Sequence, residues 1–155
     1  MPTLVREQFL PLSPEAVWDF FATPANLNAV TPNDLEFKIT SEVPKEMYEG
    51  LIITYKIKPM LNIPLDWVTE ITHIHAPHFF VDEQRSGPYK IWHHEHHFRP
   101  TEGGVIMTDK LYYEIGMSFI GWIAGQLFVH KKVREIFDFR YKALEEKFGK
   151  RSSLK

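Results

Sequence analysis

Residues Thr3 to Leu10 alternate, with Leu4, Arg6 and Gln8 set against Val5, Glu7 and Phe9, which is the period of a strand. At Ser13-Pro14-Glu15-Ala16 the period changes. Ser13 suits a cap, Pro14 suits the first helical position, and Ala16, Val17, Phe20 and Phe21 make an apolar stripe, so a short helix is predicted there. Pro24 ends it, and Pro24 to Val30 is expected to form a second short helix before Pro32.

From Leu35 to Ile115 the pattern is that of strands broken by turn chemistry. Pro44, Gly50, the Pro59 to Pro64 segment, Pro77, Ser86-Gly87-Pro88 and Gly103-Gly104 are the punctuation, and they leave six strands after the first. The segment from about Phe119 to Phe148 then reads as one long helix. Val129, Val133, Ile136, Phe137, Leu144 and Phe148 lie near one stripe, while Lys131, Lys132, Glu135, Lys142, Glu145 and Glu146 lie mostly elsewhere. Gly149 is its natural stop, and 150–155 is expected to be a frayed tail behind a single domain over 1–149. Several strands are apolar on one face only, as in an antiparallel α+β sheet with one covered face, and the long helix is available to cover it. Val133, Ile136, Phe137 and Leu144 are expected to pack on the concave face, which needs cover for Leu51, Ile53, Tyr55 and Ile57.

Composition narrows the function. Apolar residues make up 44% and aromatics 14% of 155 positions, enough to bury a substantial core, and the formal charge of −2 offers no general attraction to nucleic acid or anionic lipid. The absence of cysteine excludes disulfides, thiolate nucleophiles and sulfur-bound metals, and suits a reducing, cytoplasmic setting. Arg6 and Glu7 interrupt the apolar run that a secretory signal needs, and Gly116, Gly121, Gly125 and Gln126 interrupt the apolar run Ile115 to Val129, so neither a targeting segment nor a membrane insertion is expected.

Particular segments carry a resemblance. Leu12-Ser13-Pro14-Glu15-Ala16-Val17-Trp18-Asp19-Phe20-Phe21, Asn26-Leu27 through Thr31-Pro32, Phe80-Val81-Asp82-Glu83-Gln84, Gly87-Pro88-Tyr89 and Trp92-His93-His94-Glu95-His96-His97-Phe98 resemble the START-type and pollen-allergen-type superfamily, also called the polyketide cyclase or SRPBCC superfamily, and within it a bacterial ligand-binding subgroup. The resemblance runs from about Thr3 to Phe148. It implies a helix-grip fold, a seven-stranded curved antiparallel sheet with two short helices and a long C-terminal helix, enclosing a cavity between sheet and helix.

The candidate chemistry is histidine-rich. On a strand, Trp92, His94, His96 and Phe98 share one face, assigned inward for its large apolar members, and His93, Glu95 and His97 share the solvated other. Treating Thr101 to Gly104 as a hairpin loop sets Pro100 opposite Val105, and the same register pairs Phe98 with Met107, His96 with Asp109, His94 with Leu111 and Trp92 with Tyr113. Asp82, Gln84 and Asp109 are polar residues within apolar strands, serving either a structural network or the polar part of a cavity, and the face of Asp82 turns on the register after Ser86-Gly87-Pro88. The His-x-His spacing suits chelation, but no third ligand is apparent and no helical metal motif accompanies it, so no metal or other cofactor is expected.

The reading that follows is a carrier or sequestering domain for a small hydrophobic or amphipathic molecule. Tyr55, Trp67, Gln84, Trp92, His94, His96, Asp109, Leu111, Tyr113 and Phe137 are the candidate ligand-binding residues. Two alternatives stay open. One is a cyclase- or dehydratase-type enzyme using His94, His96 and Asp109 for acid-base chemistry, and the other is an interaction domain meeting a partner through His93, Glu95 and His97.

Overall fold

A computed structural model describes residues 1–59, 62–116 and 124–151. The strands are β1 (Thr3–Leu10), β2 (Lys38–Ile39), β3 (Ile52–Ile57), β4 (Leu65–His75), β5 (Phe79–Ser86), β6 (Tyr89–Thr101) and β7 (Gly104–Ile115). All pair antiparallel in one sheet, ordered β1-β7-β6-β5-β4-β3-β2. The helix-grip architecture expected from the sequence is therefore present, although β2 has only two residues.

Between β1 and β2 lie α1 (Pro14–Phe21) and a 3-10 helix over Pro24–Val30. Ser13 caps α1, its hydroxyl accepting from the Ala16 N–H at 3.2 Å, and Pro14 opens the first turn. The C-terminal helix α2 spans Ala124–Phe148, and Gly149 stops it in the left-handed conformation with φ of 96°. The expected start of that helix at Phe119 and the end of the expected tail, residues 152–155, lie outside the described residues. Among the described residues no helix is long and apolar enough to cross a membrane.

The β6–β7 hairpin is tighter than the four-residue loop expected. Thr101 and Gly104 pair, which leaves Glu102 and Gly103 as the turn, with φ of 77° at Gly103 supplying the left-handed step. The register is unaffected: Pro100 faces Val105, Phe98 faces Met107, His96 faces Asp109, His94 faces Leu111 and Trp92 faces Tyr113. This long hairpin fixes the order of side chains along the floor of the sheet.

Three apolar clusters form on that floor. Leu10, Val17, Phe21, Phe98, Val105, Met107 and Leu144 close one end, and Leu4, Leu111, Tyr113, Val133 and Phe137 form the second. The third contains Leu51, Ile53 and Ile71, with Val43 and Met47 packed against it. Here the expected packing needs correction. α2 covers the β1–β7–β6 side through Val133, Phe137 and Leu144, while Leu51 and Ile53 are covered by the chain around Val43 to Met47, because the curved sheet carries β3 away from the helix.

Leu144 is fully buried within the first cluster, and Phe139, on the opposite side of α2, is 36% exposed. Leu144→Ala is expected to cost about 3 kcal/mol in chemical denaturation, and Phe139→Ala no more than about 0.5 kcal/mol. Equal losses would show that α2 does not close the core in this orientation.

Candidate functional site

Between the first two clusters the floor turns polar. β6 presents His94 and His96 inward, β7 presents Asp109 opposite His96, and β5 presents Asp82 opposite His94. The face of Asp82 follows from the unbroken β5–β6 register, which sets Phe80 opposite His96 and Asp82 opposite His94. From above, α2 lowers Arg140 onto the group.

Asp109 sits at the centre, 1% exposed. Its Oδ1 accepts from His94 Nε2 at 3.2 Å and lies 3.1 Å from His96 Nδ1, and its Oδ2 accepts from Arg140 Nε at 3.1 Å. Each imidazole then turns its other nitrogen to Asp82 Oδ2, His96 Nε2 at 2.7 Å and His94 Nδ1 at 3.5 Å. The two rings are 3.8 Å apart between centroids. His96 also stacks on Phe80, with centroids 4.1 Å apart, and the Arg140 guanidinium lies 5.2 Å from the Phe21 ring centroid.

Burial alone would neutralise these groups, and pairing decides which stay charged. Burial pushes the Asp109 carboxyl up, but the Arg140 guanidinium and the hydrogen bonds from His94 and His96 outweigh it and hold the group well below its ordinary 3.8. Asp82 is likewise pushed up by burial and brought below that value by the His96 hydrogen bond and the charges around it. For His96, burial pulls down and the two carboxylates more than reverse it, so its pKa lies above the ordinary 6.5. His94 goes the other way, lowered by burial and by the neighbouring His96 charge. Two imidazolium rings in such contact would repel, so the network favours a proton on His96 over one on His94.

A cavity of about 210 Å³ opens beside this network, between the sheet, α2 and the Pro24–Val30 segment. Of the residues expected from the sequence, Tyr55, Trp67, Trp92, His94, His96 and Phe137 line it. The other four lie elsewhere. Asp109 lies among the residues behind the histidines, and Leu111 is enclosed with Leu4 and Val133. Tyr113 shares a hydrogen bond with His130 Nδ1 at 2.7 Å, and the Gln84 amide is spent on the Tyr89 main chain, clamping the Ser86-Gly87-Pro88 turn. Tyr55 and Trp67 stack with centroids 5.7 Å apart, and the Tyr55 hydroxyl lies 3.0 Å from Thr69 Oγ1.

Sequence alone leaves the face of Asp82 undecided and does not single out Arg140. A signal for Arg140 is nevertheless present, since it falls three residues after Phe137 and four before Leu144, a charge on the apolar stripe of α2. On the outer face of β6, His93 Nδ1 contacts Glu83 Oε1 at 2.6 Å and His97 Nε2 contacts Glu95 Oε2 at 2.7 Å, so the expected solvated face is a row of imidazole–carboxylate contacts.

No family model matches the sequence, and no curated protein does. Solved structures match in fold. Protein CV1439 from Chromobacterium violaceum has a TM-score of 0.73 at 12% identity, over 96% of this chain and 99% of that one. Protein TTHA0849 from Thermus thermophilus has a TM-score of 0.66 at 19% identity, over 98% and 100%. Ara h 8.0201 has a TM-score of 0.59 at 11% identity, over 94% and 98%. At these identities the shared property is the fold alone.

The charge balance sets the pH response. The carboxylates contribute stability above about 3.8 that is lost as pH falls through their depressed values. His96 contributes stability that is complete below 6.5 and lost as pH rises through its raised value, and His94 contributes with the opposite sign, above 6.5. Asp109→Asn is expected to lower the His96 pKa in an NMR titration and to cost about 3–5 kcal/mol by leaving Arg140 unpaired. An unshifted His96 in a folded Asp109→Asn protein would show that Asp109 does not hold the imidazolium.

Proposed function

We propose that residues 1–149 form a ligand-binding unit of the bacterial START-like kind, holding a small amphipathic molecule in a cytoplasmic carrier or sequestering role. The observation that carries this reading is the cavity, whose walls are apolar while one end is lined by Asp82, His94 and His96. Leu27, Val30, Met47, Ile53 and Ile57 supply much of the apolar wall, and Tyr55, Trp67 and Trp92 add flat aromatic surface. A cavity of about 150 Å³ accommodates benzene, so about 210 Å³ matches a ligand of one or two rings with a polar substituent. The apolar end supplies affinity and the polar end orientation. The absence of cysteine supports a reducing compartment.

Binding is favoured over acid-base catalysis by the engagement of His96. Both of its ring nitrogens lie against carboxylates, Asp82 at 2.7 Å and Asp109 at 3.1 Å, so its proton is held within the network and not offered to a cavity substrate.

Because Trp67 and Trp92 line the cavity, an aromatic ligand is expected to quench intrinsic fluorescence saturably, and native mass spectrometry of protein from its own cells should show a co-purifying small molecule. Leu27→Trp, at the partly buried rim, should weaken binding at least tenfold (about 1.4 kcal/mol) with little loss of stability. A folded Leu27→Trp protein with undiminished quenching would place the binding outside this cavity.

A further inference from the structure

Three side chains at the polar end of the cavity converge on one point. One ligand atom from each of Asp82, His94 and His96 lies within 4.8 Å of the others. Both imidazoles reach this point with one nitrogen, Nδ1 of His94 and Nε2 of His96, directed at the same Asp82 oxygen. Both present their remaining nitrogen to a single carboxylate behind them, Asp109 Oδ1, at 3.2 and 3.1 Å. Asp109 is in turn held by Arg140.

We propose that Asp82, His94 and His96 bind a divalent first-row transition ion at the polar end of the cavity, with Asp109 orienting both imidazoles from behind. The chemistry of each member fits. Two neutral imidazole nitrogens and one carboxylate are a donor set that such ions accept, and a ligating histidine commonly gives its other N–H to a carboxylate that fixes its tautomer and ring plane. Here one carboxylate serves both histidines, and the hairpin register that makes His96 and Asp109 partners builds that arrangement into the backbone. Ligands at about 2.1 Å from a tetrahedral ion are separated by about 3.4 Å, which the His94–Asp82 spacing of 3.5 Å already meets. The closer His96–Asp82 contact of 2.7 Å is a proton-bridged pair. Metal binding replaces that proton, which leaves to solvent, and the pair widens by a few tenths of an ångström.

Asp82 also keeps a free hand. Among the described residues its Oδ1 makes no hydrogen bond or ion pair, and the side chain lines the cavity. Three protein ligands leave a coordination position open, and the cavity is the space into which it faces. The inference does not require a cavity ligand, and its test reads the ion alone.

The test uses the full chain, stripped with a chelator and confirmed folded by circular dichroism, then titrated with Zn²⁺ against a chromophoric competitor and with Co²⁺ by visible absorption. One equivalent is expected, with Zn²⁺ moving the imidazole nitrogen resonances of His94 and His96 in the unsubstituted protein and leaving those of His93 and His97 in place. Asp82→Ala should abolish the site. Asp109→Asn, which removes only the group behind the ligands, should weaken it about 10–100-fold at unchanged stoichiometry. His93→Ala/His97→Ala, on the outer face, should leave uptake unchanged. A folded chain that takes up no ion, or one whose uptake survives Asp82→Ala or disappears in the outer-face variant, would overturn the proposal, whatever the outcome of the ligand experiments above.

Discussion

The contact between Asp109 and Arg140 is the constraint around which the interior is organised. Asp109 is 1% exposed and Arg140 6%, so neither charge has water to return to. Desolvating two such ions costs several kcal/mol each unless every remaining lone pair and proton finds a partner. The partners are His94 and His96 on the sheet side and the Phe21 ring on the helix side. One ion pair thereby fixes the height of α2 above the sheet and the placement of both imidazoles.

The cavity follows from the same geometry. A polar group in the middle of the floor cannot be packed over with apolar side chains, so the core divides into separate clusters around it. α2 closes the β1–β7–β6 side, and the bend of the sheet carries β3 and β4 towards the Val43–Met47 segment. Space bounded by Tyr55, Trp67, Trp92 and Phe137 remains between these two closures. Its polar end is the exposed edge of a network whose centre is buried, so a group entering the cavity meets Asp82, His94 and His96 while Asp109 stays behind them.

Much of this was legible in the residues. The alternation in β1, the Ser13-Pro14 helix start, the turn signals and the α2 stripe determined the order of elements, because each is a local preference that neighbours in sequence express without help. The β6–β7 register was legible for the same reason. Slipping β6 by one residue against β7 would turn His94 and His96 to the outer face while Asp109 and Leu111 stayed on the buried one, so only one register satisfies both strands.

The composition of the site was another matter. Asp82 faces inward because β5 pairs with β6 so that it lies opposite His94, and the Ser86-Gly87-Pro88 turn between those strands is by itself compatible with more than one register. Gln84 looked like a site residue and instead clamps its own turn, since an amide two places from a sharp turn can satisfy the main chain where the ladder stops. Arg140 stood out only as a charge on an apolar stripe, and its partner lies 31 residues away on β7. The sequence by itself determined the elements, their order and the pairing of His96 with Asp109. Which of the polar residues meet, and which of them border a cavity, was decided by the descent of α2 onto a curved sheet, because burial and electrostatic pairing between distant segments exist only once both are in place.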